Sequence, residues 1–175
     1  PTTVNLKSSY PATIKGKQDI EIRPQVSGFI TKLNIDEGSM VKKGQVLFVI
    51  DPVQYESAAR AAKAAVATAK ANVSTQEIKN KRELNKKNII SDYDLEMAEN
   101  TLASAKAQLA SAEAQLISAN QNLAYTRVTS PSDGVAGTIP YRVGSLVSAS
   151  IAQPLTTVSE IGDMYVYFSM TEKEL

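Results

Sequence analysis

Between Leu95 and Leu123 the apolar positions keep a strict period of seven. Leu95, Leu102, Leu109, Leu116 and Leu123 form one row, and Ala98, Ala105, Ala112 and Ala119 form a second beside it. A sustained seven-residue period predicts a helix that supercoils left-handedly around a partner helix. Upstream, Ala59, Val66 and Val73 fall seven apart, as do Ala62 and Ala69, which puts the partner in the same chain. The pattern predicts an antiparallel helical hairpin over residues 52–125. Each arm of ~35 residues would be ~50 Å long at the rise of an α-helix. The first arm becomes polar at Gln76, Asn80 and Glu83, where the coil is expected to weaken or change pitch. Read alone, such heptads also suit a purely structural coil or a dimerisation helix.

The ends of the arms carry start and stop signals. Asp51 can cap the first helix, with Pro52 at its first position, Gln54 completing a capping box and Ile50 stapled to Tyr55. That helix is expected to reach about Lys87. Ser91 opens the second in the same way, with Asp94 in the box and Ile90 stapled to Leu95, and the helix is expected to end near Ala124. Lys79, Lys81, Arg82, Lys86 and Lys87 crowd the end of the first arm, while Asp92, Asp94, Glu96 and Glu99 crowd the start of the second. Both placements suit the helix dipoles, and the clusters are expected to face each other across the loop. As a rule such a cluster is a solvated helix end. Asn88-Ile89-Ile90 adds apolar residues at the turn. With Ile90 used by the staple, Ile89 is the exposed anchor.

The flanks read differently. Short β-like runs with Gly-marked turns occupy residues 21–51, ending in Val46-Leu47-Phe48-Val49-Ile50, and return over 126–158. Gly28, Gly38 and Val41 are followed 106 residues later by Gly134, Gly144 and Val147. Phe29 matches Val135, Leu33 matches Ile139 and Ser39 matches Ser145. The two flanks are therefore degenerate copies of one motif, two halves of a single β domain split by insertion of the hairpin at a loop tip. Gly28, Gly38, Gly44, Gly134 and Gly144 are its expected turn and packing positions. Shorter β-like pieces lie at Val4–Leu6, Ala12–Ile14 and Met164–Met170, with a helix start from Thr171.

Composition narrows the chemistry. The 175 residues include no His and no Cys, which removes the commonest general base, the commonest metal ligand and any disulfide. A net charge of +1 gives no global attraction to nucleic acid. No apolar run approaches the ~20 residues that cross a bilayer. Asp92, Asp94 and Glu96 lack the turn glycine and distal glutamate of a calcium loop, and helix-dipole placement explains them. No catalytic site, cofactor or metal is expected. The chain begins at Pro1 and stops at Leu175 in mid-pattern, as expected of a mature or trimmed piece of something longer.

Pro24-Gln25-Val26-Ser27-Gly28, Asp36-Glu37-Gly38, Val41-Lys42-Lys43-Gly44-Gln45 and Asp51, with Ser130-Pro131-Ser132-Asp133-Gly134-Val135 and Val143-Gly144 downstream, resemble the periplasmic adaptors, or membrane fusion proteins, of tripartite efflux pumps of the resistance-nodulation-division class. Each half alone is a biotinyl/lipoyl-type signature; the two with a hairpin between them are specific to the family. The resemblance implies an α+β fold, in which a long antiparallel coiled-coil hairpin (52–125) is inserted between the halves of a lipoyl/biotinyl-like β-sandwich (21–51 and 126–158). Residues 1–20 and 159–175 would be edges of a truncated β-barrel domain.

The resemblance also implies a periplasmic protein anchored to the inner membrane through a segment outside this sequence. Its partners would be an inner-membrane efflux transporter, an outer-membrane channel and further copies of itself, as a trimer or hexamer, with no nucleic acid. In similar proteins the hairpin tip docks on the channel through an Arg, a Leu four residues on and a Ser seven further. Leu84 and Ser91 hold the last two places, but Asn80 stands where the Arg is expected, so that Lys79, Lys81 or Arg82 would have to substitute. Asn80, Leu84, Ser91, Asn88, Ile89 and Arg82 are thus the docking candidates.

Two other readings are open. An adaptor of an ATP-driven exporter or type I secretion system would share this organisation, although those often have longer hairpins. An acyl-carrier domain would need its modified Lys on a tight β-turn, whereas Lys63, Lys70 and Lys106 fall within predicted helices.

Overall fold

The computed structural model describes residues 19–86 and 88–160. The β-like pieces expected at the two ends, the helix start at Thr171 and the basic Lys87 lie outside the described residues. The chain divides into two compact units, one of them Val53–Ala124 and the other drawn from the flanks, up to Pro52 and from Tyr125 onward.

Among the described residues the flanking unit contains two four-stranded antiparallel sheets. Strands β1 (Asp19–Ile22), β2 (Gly28–Leu33), β3 (Met40–Val41) and β4 (Val46–Ile50) come from the first flank, and β5 (Arg127–Thr129), β6 (Gly134–Ala136), β7 (Leu146–Val147) and β8 (Thr156–Ser159) from the second. One sheet has the order β1-β8-β6-β3 and the other β5-β4-β2-β7, so each draws strands from both flanks. Advancing β1 and β3 by the 106-residue repeat lands them on β5 and β7 or their immediate neighbours, and setting β6 back by it lands it on β2. The sheets are copies of one another.

The hydrogen bonds repeat as well. Gly38 N donates to Ala136 O at 2.9 Å, and its counterpart Gly144 N to Ile30 O at 2.8 Å. Asp36 N donates to Ser39 Oγ at 3.0 Å, and Arg142 N to Ser145 Oγ at 3.1 Å. The apolar pattern of the two copies explains why they close on one another. Ile30 and Ala136, and Val41 and Val147, are equivalent pairs, and all four are buried. The core is completed by Leu47, Phe48, Ile50, Leu155 and Val158, each fully buried. Burying a side chain of this size contributes about 1.5–3 kcal/mol. Leu47 and Phe48 are both inside although adjacent, because the β4–β5 register shifts between Val46 and Phe48 and a bulge re-aims the strand.

The structure departs from the expected layout in two places. Asp19 and Ile20, grouped above with the barrel edge, pair with Ser159 and Val158 within the first sheet, because β8 offers them a ladder. Ile139 is outside any strand although its counterpart Leu33 ends β2. Pro140 beside it has no N–H for a ladder, and Ile139 N donates instead to Glu37 Oε2 at 2.8 Å.

In the other unit, α1 (Val53–Asn85) and α2 (Asp92–Tyr125) run antiparallel. Tyr55 lines a groove with Ser118 and Ala119, whereas Asn80 and Leu84 line one with Leu102. On α1 the shielded positions are Tyr55, Ala59, Ala62, Val66, Ala69, Val73, Gln76, Asn80 and Glu83. On α2 they are Leu95, Ala98, Leu102, Ala105, Leu109, Ala112, Leu116, Ala119 and Leu123. Steps of three and four alternate without a break along both helices, the spacing of a single seam. Among the described residues no helix is long and apolar enough to cross a membrane.

Candidate functional site

The turn between the helices is held by its own backbone. Ile89 N and Ile90 N both donate to Lys86 O, at 2.7 and 3.0 Å, which closes the chain just beyond α1. Ser91 then caps α2: Asp94 N donates to Ser91 Oγ at 3.1 Å and Leu95 N to Ser91 O at 3.2 Å. Ile90 is half-buried and Ile89 is 84% exposed, which leaves Ile89 as the apolar side chain at the apex. No ion pair joins the described basic residues at the end of α1 to the acidic residues at the start of α2. Their placement acts through the helix ends alone.

The docking candidates separate into two groups. Leu84, Arg82, Asn88 and Ile89 are exposed around the turn. Asn80 belongs to the seam. It is half-buried, and its Nδ2 is shut off from solvent with no hydrogen-bond partner. Ser91 is exposed, but its hydroxyl is engaged by the cap. A groove of about 590 Å³ runs beside the seam here, lined by Ile78, Asn80, Lys81, Leu84 and Leu102 among others. On the opposite side Arg82 lines a second groove with Gln76, Glu83, Met97 and Thr101.

Sequence reasoning missed Ile78, Tyr93 and Met97, which are exposed by 54%, 68% and 47% near the same end. The signal was available. None of the three fits the heptad seam, and an apolar residue off the seam of a two-helix hairpin has no core to enter.

The glycines expected to shape the sheets serve two purposes. Gly38, Gly44 and Gly144 have φ of 83°, 85° and 97°, the left-handed region that favours glycine. At Gly28 a Cβ would stand 2.6 Å from Ile50 Cγ2, and at Gly134 it would meet the Ser159 carbonyl. Those two positions let strands approach.

The arrangement has known counterparts. A family model described as "RND MFP, barrel-sandwich hybrid domain" matches residues 18–159. Multidrug resistance protein MdtE of Escherichia coli K12 is 38% identical over 95% of this chain and 44% of its own length. The antibiotic efflux pump periplasmic linker protein ArpA of Pseudomonas putida is 34% identical over the whole chain and 44% of its own length. The chain thus spans somewhat less than half of these relatives. Among solved structures, a MacA-MexA chimeric protein containing the Pseudomonas aeruginosa MexA α-hairpin domain superposes with a TM-score of 0.64 and 30% identity, over 82% of this chain and 48% of that one.

Proposed function

Given that the chain belongs to the membrane fusion proteins of the RND type, we propose that it is the hairpin and lipoyl-like part of a periplasmic adaptor. The adaptor links an inner-membrane, proton-driven transporter to an outer-membrane channel in a multidrug efflux pump. The observation that carries this reading is the match to the family over residues 18–159, which takes in both sheets and both helices. The relatives' names, a multidrug resistance protein and a periplasmic linker of an antibiotic efflux pump, support the pump and the compartment. The family match favours a proton-driven pump over an ATP-driven exporter or type I secretion system.

In this reading the two sheets are a lipoyl-like sandwich. The helices form a coiled coil whose stiffness sets the reach of the adaptor, and the turn at residues 86–91 meets the channel. Copies of the adaptor pack sandwich to sandwich as a trimer or hexamer around a duct. Residues 1–18 and those beyond 159 lead into a barrel domain, and a segment outside the chain anchors the protein to the inner membrane. The chain does no chemistry on what is exported; it acts by joining. Leu84, Asn88, Ile89 and Arg82 are the contacts at the tip. Ser91 supports them as the helix cap, and Asn80 acts through the seam.

The absence of cysteine supplies the test. Asn88→Cys in the full-length protein, in its native cells, puts a thiol at the turn. Crosslinking from it is expected to capture an outer-membrane channel protein. Capture of adaptor copies alone, or of nothing, in cells whose efflux still depends on the protein would overturn docking at the tip.

A further inference from the structure

Side chains hold the two arms of the hairpin together, and they do so unevenly along its length. The fully buried seam residues are Ala59, Val66 and Ala105. Beyond Val66 on α1, and before Ala105 on α2, every seam residue is only half-buried. On α1 this stretch carries Gln76, Asn80 and Glu83, so polar side chains stand in the seam opposite Leu95, Ala98 and Leu102. Asn80 Nδ2 is shut off from solvent and has no acceptor. A buried donor in that state gives up its hydration and gains nothing for it.

Little else ties this end together. Grooves of about 590 Å³ and 540 Å³ flank the polar stretch on its two sides. The bonds of the turn are local, from Ile89 N and Ile90 N to Lys86 O and from Leu95 N to Ser91 O. Among the described residues no ion pair joins α1 to α2. Once parted from its partner, each arm beyond the firm seam is about a dozen residues of helix, and isolated helices that short are marginal in water. Parting of the arms and loss of helix therefore go together.

We infer that residues 74–104 open and close as a unit of their own while 53–73 and 105–125 stay zipped, and that the polar seam residues set the balance. Opening returns Gln76, Asn80 and Glu83 to water and gives Asn80 Nδ2 the acceptor it lacks. It stops at Ala105, because the seam beyond is apolar on both arms and parting it would expose apolar surface with no such return. The link to function rests on the docking proposed above. A partner that grips the closed turn meets it only in the closed fraction, so opening lowers its apparent affinity and docking closes the tip.

Amide hydrogen exchange of the purified full-length protein tests the unit. Protected amides of 74–86 and 92–104 are expected to exchange at one common rate, about a hundredfold faster than those of 59–69 and 109–119. Asn80→Leu and, separately, Glu83→Leu are each expected to slow exchange about fivefold across both tip segments and to leave the base unchanged. Two substitutions at different layers keep the test open if one of them fails to fold. Equal exchange in tip and base, a slowing confined to amides beside the substituted residue, or a slowing in one arm alone would each overturn the inference. In cells, capture of a channel protein through Asn88→Cys is expected to rise about twofold or more when Glu83→Leu is added. Unchanged or reduced capture, with the slowed exchange present, overturns the coupling of closure to docking. If the exchange pattern is as expected but Asn88→Cys captures no channel at all, the docking reading falls and the two-part hairpin stands.

Discussion

The hairpin has one seam built in two ways. Toward the base, Ala59, Ala62, Val66 and Ala69 face the Leu109, Ala112, Leu116 and Ala119 stretch, and Ala59 and Val66 are buried. Toward the tip, Gln76, Asn80 and Glu83 face Leu95, Ala98 and Leu102; the first arm's three are polar, none of the six is fully buried, and one carries a buried, unpartnered Nδ2. The heptad is unbroken through both parts, so register is kept while the apolar character of the first arm's seam is not. Spacing fixes which side chains meet, and side-chain chemistry fixes how firmly. A hairpin that must hold its reach yet present a responsive end would use both.

The largest effect should come from charge in the firm part. Leu109→Asp places an unpaired carboxylate in an apolar seam and is expected to destabilise the hairpin by about 3 kcal/mol. Urea unfolding followed by helical circular dichroism measures this, and a shift below about 1 kcal/mol would remove the distinction at its strong end.

Truncation probes the contrast directly. Leu116→Ala is expected to cost about 2 kcal/mol and Leu102→Ala about half of that, since Leu102 borders a groove rather than a filled seam. Equal losses would mean that the tip is packed as well as the base.

A gain is expected from filling the soft part. Asn80→Leu removes the buried donor and adds apolar contact to Leu102, and is expected to stabilise the hairpin by about 1 kcal/mol. Amide hydrogen exchange near the tip, over 76–86 and 92–102, should slow while that of 59–69 stays unchanged. Loss of stability would show that Asn80 has an acceptor in solution.

The smallest effect concerns the cap. Ser91→Ala loses the bond from Asp94 N and is expected to cost about 0.5–1 kcal/mol, with Ser91→Asp close to neutral because Asp also caps. If Ser91→Asp keeps stability but abolishes capture by the Asn88→Cys crosslink, the hydroxyl has a role beyond the cap.

These residues also show what could be read in advance. The heptad rows of α2 coincide with its less exposed positions, because the spacing that sets them lies within one segment. The repeat of Gly28 and Gly38 at Gly134 and Gly144 likewise announced two copies of a β motif. Ser91 was legible as a cap for the same local reason. Asn80 was harder. A motif placed it among the docking residues and the heptad placed it in the seam, and only the packed helices show its amide turned inward. Tyr93 and Met97 went unremarked although their failure to fit the seam was visible.

The sequence by itself determined what local spacing and local backbone chemistry control: two heptad helices, the cap at Ser91, the glycine turns and the repeat. Only the tertiary structure decided how the copies combine. Each sheet takes strands from both flanks, so that Gly38 bonds to Ala136 and Gly144 to Ile30 across about a hundred residues of chain. Such pairings are not periodic in the sequence. They follow from burying Ile30, Phe48, Val147 and Val158 in one core, a requirement that no single segment can satisfy alone. The same closure decided which apolar residues were left over. Met40 and Leu146 look like any strand residues in the chain, and become two outward faces only once the sheets have formed.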